Sequence, residues 1–222
     1  MPWPCTSSWL SSSRIEVATP SSLQVDSARL GVELSQESAE KLLVLATELA
    51  EWNQKFNLTS IADERTVTHH LLDSLSVGPF LHGQRILDIG TGAGFPGIPL
   101  AIAYPAREFL LIDATRKKLG FVDHVIAKLG LTNVTTLHTR AEQFRPPQKF
   151  DTVVARALSK LGQFVAYAGP LCTRDGRLLA MKGHILPEEM QAIPRGWKVV
   201  AAHRVEVPGL DAERHIVEVA RA

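Results

Sequence analysis

At 222 residues the chain is long enough for one α/β domain with a full core and a short appendage. Its 45% hydrophobic and 21% charged residues are ordinary for a globular protein, and a formal net charge of +1 means that any polyanion must be met by a local patch. Two cysteines, Cys5 and Cys172, do not make a disulfide framework or a zinc site and suit a reducing, cytoplasmic setting; no apolar run approaches the roughly 20 residues of a membrane span.

Residues 1–24 carry Ser7, Ser8, Ser11, Ser12 and Ser13 among Pro2, Pro4 and Pro20, with little to bury. They lack the apolar stretch of roughly 7–15 residues of a signal peptide, and Arg14 is the only base an organellar transit peptide would have, so a disordered tail or a start placed too far upstream is expected. Residues 25–80 read as a helical extension. Ser35 is a plausible N-cap, with Glu37 in the first turn. Leu42, Leu45, Ala46, Leu49, Trp52 and Phe56 recur at helical spacing, which predicts one amphipathic helix of about five turns. Asn57-Leu58-Thr59 breaks it. A second helix is predicted from about Asp63 to Val77, with Val67, His70, Leu71, Ser74 and Leu75 on one face and Pro79 as its stop. Trp52, Phe56 and Leu71 read as helix core. His69-His70 has no third ligand nearby, so no metal is expected and His70 reads as a hydrogen-bonded packing residue.

From residue 81 the period changes. Arg85–Ile89 and Phe109–Asp113 are short apolar strands that each bring an acid to the strand end. A helix starting near Pro96 lies between them, and Arg116–Leu129 follows as a helix closed by Gly130. Val134–Leu137, Thr152–Ala155 and Arg177–Met181 read as strands, with Leu161–Ala168 a helix between the last two. Lys198–Val207 and His215–Ala220 form an antiparallel hairpin around Pro208-Gly209. This alternation predicts a mostly parallel sheet with a reversed edge strand. Ligands in such sheets bind outside the carboxyl ends of the strands, where the strand order switches.

Asp88-Ile89-Gly90-Thr91-Gly92-Ala93-Gly94 stands at one such end. Gly92–Gly97 formally matches the dinucleotide pattern GxGxxG, a weak signal alone. A carboxylate at the loop entrance would repel a pyrophosphate, whereas it suits S-adenosylmethionine, which carries a sulfonium and an ammonium and no phosphate. Asp113, 25 positions after Asp88, is placed to accept hydrogen bonds from ribose hydroxyls. Glu142, after the third strand, follows Ala141, whose backbone N–H could meet the adenine ring. Three acids after three successive strands are far more specific than the glycines alone.

The acceptor is read mostly by exclusion. Ala155-Arg156-Ala157-Leu158 occupies the place where exocyclic-amine methyltransferases carry an Asn/Asp-Pro-Pro-aromatic motif. Cys172 reads as a small core residue, not as the nucleophile of a pyrimidine-C5 enzyme. Arg156 and Lys182 remain as two cations on the cofactor face, suited to an anionic substrate such as RNA. Lys117-Lys118 fits a solvated face or RNA contact equally. A small-molecule or protein acceptor, an NAD-dependent oxidoreductase and a non-catalytic RNA-binding module stay as competing readings.

Asn57-Leu58-Thr59, His70-x-x-Asp73-Ser74 and Asp88-Ile-Gly-Thr-Gly-Ala-Gly-Phe-Pro-Gly-Ile-Pro99 resemble the bacterial RsmG proteins, also called glucose-inhibited division protein B. The likeness continues through Arg156-Ala157, Lys182-Gly183 and Glu213-Arg214-His215, from about Leu23 to the C-terminus. It implies a class I S-adenosylmethionine methyltransferase, a Rossmann-like α/β domain with a mostly parallel seven-stranded sheet, an antiparallel terminal hairpin and a small N-terminal helical extension. The implied division is 1–24 tail, 25–80 extension and 81–222 methyltransferase domain. The implied reaction is methyl transfer to N7 of one guanine in the decoding region of 16S ribosomal RNA, with that RNA or the small ribosomal subunit as partner and the protein a cytoplasmic monomer. Cofactor positions are then Asp88, Gly90, Gly92, Gly94, Phe95, Asp113, Ala141, Glu142 and Arg156, with Arg156 and Lys182 at the RNA. The family usually carries Arg-His where this chain has His69-His70, and more arginines after Asp113, where Gly120 and Asp123 dilute Arg116-Lys117-Lys118.

Overall fold

The computed structural model describes residues 18–61, 65–156 and 160–222; most of the expected tail, Cys5 and the expected start of the second helix lie outside them. Thr19 caps the first helix, α1 (Pro20–Arg29). Its hydroxyl accepts the Ser22 N–H, and the Ser22 hydroxyl accepts the Thr19 N–H, a reciprocal capping box. The tail boundary expected at residue 24 therefore falls inside a helix. Ser and Pro, which suggest disorder by composition, act here as helix-start residues.

Helix α2 (Gln36–Phe56) begins at Ser35, whose hydroxyl accepts the Ser38 N–H at 3.0 Å, and ends at Asn57 in the left-handed region with φ 50°. Leu42, Leu45 and Leu49 are fully buried, each worth about 2 kcal/mol of apolar transfer. Phe56, expected in the core, is instead 37% exposed. It sits on the last helical turn, against the Trp52 ring at 5.2 Å and beneath the Lys117 ammonium at 5.1 Å. The second helix is a π-helical turn, Val67–Leu72, running into α3 (Asp73–Leu75). The expected single apolar face is replaced by an unbroken buried run from His70 to Leu75. The extra residue in a π-turn widens the face that meets the rest of the protein.

The remaining elements alternate. β1 (Arg85–Ile89), α4 (Gly97–Ala103), β2 (Glu108–Asp113), α5 (Arg116–Leu129) and β3 (Val134–His138) come first. β4 (Phe150–Arg156), α6 (Leu161–Ala168), β5 (Cys172–Lys182), α7 (Pro187–Gln191), β6 (Trp197–Arg204) and β7 (His215–Arg221) follow. The sheet order is β3-β2-β1-β4-β5-β7-β6, so the chain switches direction between β1 and β4. β1 to β5 pair in parallel, and β7 is antiparallel to both β5 and β6. The hairpin is as predicted, but the reversed strand is β7, inside the sheet, and β6 takes the edge. The burial patterns explain this: β7 is apolar on both faces, while β6 alternates half-buried and exposed as an edge strand does. Reversal has a consequence for the site. It brings the start of β7 beside the end of β5, with His215 opposite Lys182.

Two apolar clusters cover the two faces of the sheet. One joins Leu42, Leu45, Leu49 and Leu71 of the extension to Ile98, Leu111, Phe121 and Val125. The other packs Phe164, Val165 and Ala168 of α6 on Leu87, Val153 and Leu178. The extension thus shares its core with the sheet domain. A buried carboxylate, Glu48, reinforces the join by pairing with His124 and Lys128 of α5. Among the described residues, no helix is long and apolar enough to cross a membrane.

Candidate active site

Asp88 is the penultimate residue of β1, opposite Leu111 and Val154 in the two flanking strands, and is fully buried. Its Oδ2 accepts hydrogen bonds from Thr91 Oγ1 at 2.6 Å and from the Gly97 N–H at 2.9 Å, tying both ends of the glycine loop to one atom. Oδ1 has no hydrogen-bond partner among the described residues. Burial pushes this carboxyl up to about 6, against the pull of the Thr91 and Gly97 hydrogen bonds. Gly90, Gly92 and Gly94 have φ of 68°, 61° and 90°. A Cβ at Gly94 would meet Ile98 Cγ1 at 2.8 Å, whereas one at Gly90 or Gly92 would project into open space. Gly94 is therefore needed for packing, and Gly90 and Gly92 form the bare backbone floor of a cradle.

Asp113 closes β2 and faces the same loop. Its Oδ2 accepts the Gly92 N–H at 2.8 Å and its Oδ1 the Thr115 N–H at 2.7 Å. It thus sets the loop's position. Ala141 is buried and Glu142 exposed in the turn after β3. A buried carboxylate, a second carboxylate and an open backbone floor fit S-adenosylmethionine, whose sulfonium and ammonium outweigh its single carboxylate. They do not fit a pyrophosphate.

Phe95 is buried, and what covers it leads to the acceptor side. The His70 ring stacks on it at 4.6 Å and 27°, and the Arg156 guanidinium lies 5.5 Å from its centroid. Arg156, at the end of β4, donates from Nη1 to the His69 carbonyl and to Asp73 Oδ2, and from Nη2 to His70 Nδ1, each at 3.2 Å. The other oxygen of buried Asp73 accepts from Arg214 Nε at 2.7 Å. Ile61, His69, Asp73, Arg156, Lys182 and Arg214 line a cavity of about 340 Å³ beside this network. The walls of that cavity come from the extension, β4, β5 and the start of β7.

Lys182 reaches the cavity already paired. Its Nζ donates to Glu189 Oε1 at 2.9 Å and Oε2 at 2.6 Å, and both side chains are mostly buried. The free cation expected there is neutralised from α7, a helix absent from the sequence reading. Cys172 is the first residue of β5; it is fully buried, and burial pushes its thiol up to about 11. That suits the core role expected of it.

Residues 38–217 match the family described as rRNA small subunit methyltransferase G. The chain belongs to this family. It is 46% identical over 190 residues to the Ribosomal RNA small subunit methyltransferase G of Nitrosococcus oceani, covering 85% of this chain and 89% of that one. The counterpart in Marinobacter nauticus is 42% identical over 204 residues, covering 91% and 95%. Solved structures extend the likeness to the fold. The glycopeptide N-methyltransferase MtfA complexed with S-adenosyl-L-homocysteine has a TM-score of 0.58 at 12% identity over 69% of this chain and 87% of its own. The ribosomal protein L11 methylase of Lactobacillus delbrueckii has 0.55 at 18% identity over 75% and 82%. Both carry the class I S-adenosylmethionine-dependent methyltransferase fold, and so does this chain.

The structure brings Asp88, Gly90, Gly92, Gly94 and Asp113 into one cradle and Arg156 and Lys182 to one cavity. Thr59, whose hydroxyl meets His70 Nε2 at 3.0 Å, Asp73, Arg214 and Glu189 complete the surroundings, and local sequence alone gives them no role. The first three fall within family strings, which marked the positions without saying which partners they meet. Glu189 had no signal at all.

Proposed function

We propose that this protein transfers the methyl group of S-adenosylmethionine to N7 of one guanine in the decoding region of 16S ribosomal RNA. Its substrate is that RNA, free or in the small subunit, and it acts as a cytoplasmic monomer. The observation that carries the reading is the match of residues 38–217 to a family of small-subunit rRNA methyltransferases, whose relatives align over nearly their full length.

When bound, S-adenosylmethionine supplies a methyl group on a sulfonium, electrophilic enough for a neutral nitrogen to attack. Asp88, buried beneath the glycine loop, orders it and acts on the methionine end through water or backbone groups. Asp113 holds the ribose side, Ala141 and Glu142 frame the adenine, and Gly90, Gly92 and Gly94 supply the close backbone with Phe95 beneath. Arg156 and Lys182 meet the RNA, with Lys182 exchanging Glu189 for a phosphate. Residues 81–222 carry the cofactor side, and residues 25–80 supply the wall of Thr59, His69, His70 and Asp73.

Guanine N7 attacks through a lone pair and bears no proton, so no general base is needed. The residues have only to hold the nitrogen about 3 Å from the methyl carbon and in line with the departing sulfur. Asp73 offsets one of the two arginine charges in this cavity, which lowers the cost of the positive charge that the purine acquires.

Comparing Asp88→Ala and Arg156→Ala for cofactor affinity and for methyl transfer to rRNA tests the assignment. Asp88→Ala is expected to lose cofactor binding, and Arg156→Ala to keep binding and lose transfer. Unchanged cofactor affinity in Asp88→Ala would remove the loop reading.

A further inference from the structure

His70 makes more of its surroundings than a packing residue needs. It is 4% exposed, and its ring meets three different segments at once. Nδ1 lies 3.2 Å from Arg156 Nη2, Nε2 lies 3.0 Å from Thr59 Oγ1, and the ring face is stacked on Phe95. A guanidinium can only donate, so Nδ1 is the acceptor, the proton sits on Nε2, and Nε2–H donates to the threonine. Burial pushes this imidazole down to about 3, with the charges of Arg156 and His69 acting in the same direction, so it stays neutral and keeps this tautomer.

Each contact is itself anchored. Thr59 Oγ1 also accepts the Ile61 N–H at 3.1 Å, and the Thr59 N–H donates to Asn53 Oδ1 at 2.9 Å. Arg156 spends Nη1 on the His69 carbonyl and Asp73, both from the π-turn and α3. Those two bonds hold one corner of the guanidinium. The bond from Nη2 to His70 fixes the second corner and with it the plane of the group. Phe95, on the cofactor loop, lies under both the imidazole and the guanidinium. One ring thus sits at the point where the extension, the acceptor cavity and the cofactor loop meet.

We infer that His70 is a positioning residue for methyl transfer, acting through its Nδ1 acceptor and its ring face to fix Arg156 and Phe95 relative to one another. The inference rests on the proposed function, because the spacing it sets is that between cofactor and guanine. A shift of about 1 Å in such a spacing costs on the order of 100-fold in rate, without requiring any loss of cofactor affinity.

The test compares His70→Asn, His70→Gln and His70→Ala in the full-length protein, measuring S-adenosylmethionine Kd together with kcat and KM on undermethylated 16S rRNA. Asn places an amide oxygen where Nδ1 stands and is expected to keep kcat within about fivefold of wild type. Gln extends toward Thr59 without that acceptor, and Ala lacks both; each is expected to lose about 10- to 100-fold in kcat, with cofactor Kd changed less than threefold. Equal kcat in Asn and Gln overturns the inference. So does a loss of cofactor affinity in step with kcat across the series. If Ala does not fold, the comparison of Asn with Gln still decides. A wild-type protein inactive on that rRNA overturns the functional reading and the inference with it, whereas an active wild type with indifferent variants overturns the inference alone.

Discussion

Arg214 and Asp73 stand 141 residues apart in the chain and meet at 2.7 Å inside the protein. The reversed strand β7 makes the meeting possible, since its start lies at the same end of the sheet as the ends of β1, β4 and β5. Asp73 thereby bridges two arginines, Arg156 and Arg214, and offsets one of the two charges that would otherwise face each other across one cavity. Asp73→Asn leaves both cations without their carboxylate. A loss of about 3 kcal/mol in unfolding free energy is expected, since removing one partner strands the others. Urea denaturation measures it; a loss below about 0.5 kcal/mol, the level of an ordinary surface change, would contradict it.

Asp88 makes stability depend on pH with a defined sign. Its carboxyl is raised from an ordinary 3.8 to about 6 in the folded protein, so the folded state keeps the proton to higher pH than the unfolded chain. The stability this group contributes is present below about pH 4 and lost as pH rises through about 6. By linkage, the cofactor-free wild type loses about 1 kcal/mol from this source between pH 5 and pH 7. Asp88→Asn is expected to remove that part of the slope in urea melts at the two values. An unchanged slope would mean that Asp88 does not titrate in this range.

The two kinds of glycine in the loop should separate. Gly92→Ala places a methyl in the open cradle at φ 61° and is expected to cost about 1 kcal/mol of stability while weakening S-adenosylmethionine binding at least tenfold. Gly94→Ala drives a methyl to 2.8 Å from Ile98 at φ 90° and is expected to cost about 2–3 kcal/mol. Thermal unfolding and calorimetric titration together read the split. Equal effects on both quantities from the two variants would erase the distinction between floor and packing.

Glu189 should restrain RNA binding through Lys182. Glu189→Gln leaves the ammonium free for a phosphate, and the logarithm of the RNA association constant is expected to fall more steeply with the logarithm of salt, by about 0.7–0.9. Fluorescence anisotropy between 50 and 200 mM salt measures that slope. No change would place Lys182 outside the RNA contact.

Much of this architecture is legible in the sequence, for reasons that can be named. Arg85–Ile89 and Phe109–Asp113 are buried on both faces, so they read as unbroken apolar runs, and their closing acids locate the cofactor side. Ser35 and Gly130 mark helix ends by side-chain and backbone chemistry that acts within a few residues. What stays hidden depends on distant partners. The Asp73 carboxylate gains its meaning only when β7 inserts beside β5, which pairing across the sheet decides and local pattern does not. The π-turn at Val67–Leu72 shifts the face of His70, Leu72 and Asp73 away from simple helical spacing. Lys182 reads as a free cation because Glu189 lies on a five-residue helix with no buried residue to give it a period.

The central claim is the transfer of one methyl group to N7 of a guanine in 16S rRNA. It is tested most directly by incubating the purified protein and labelled S-adenosylmethionine with small subunits from a strain lacking the modification, then digesting the RNA to nucleosides for mass spectrometry. Label is expected in 7-methylguanosine alone, at one position in the decoding region. Label in a different nucleoside, in ribosomal protein, or nowhere would contradict it.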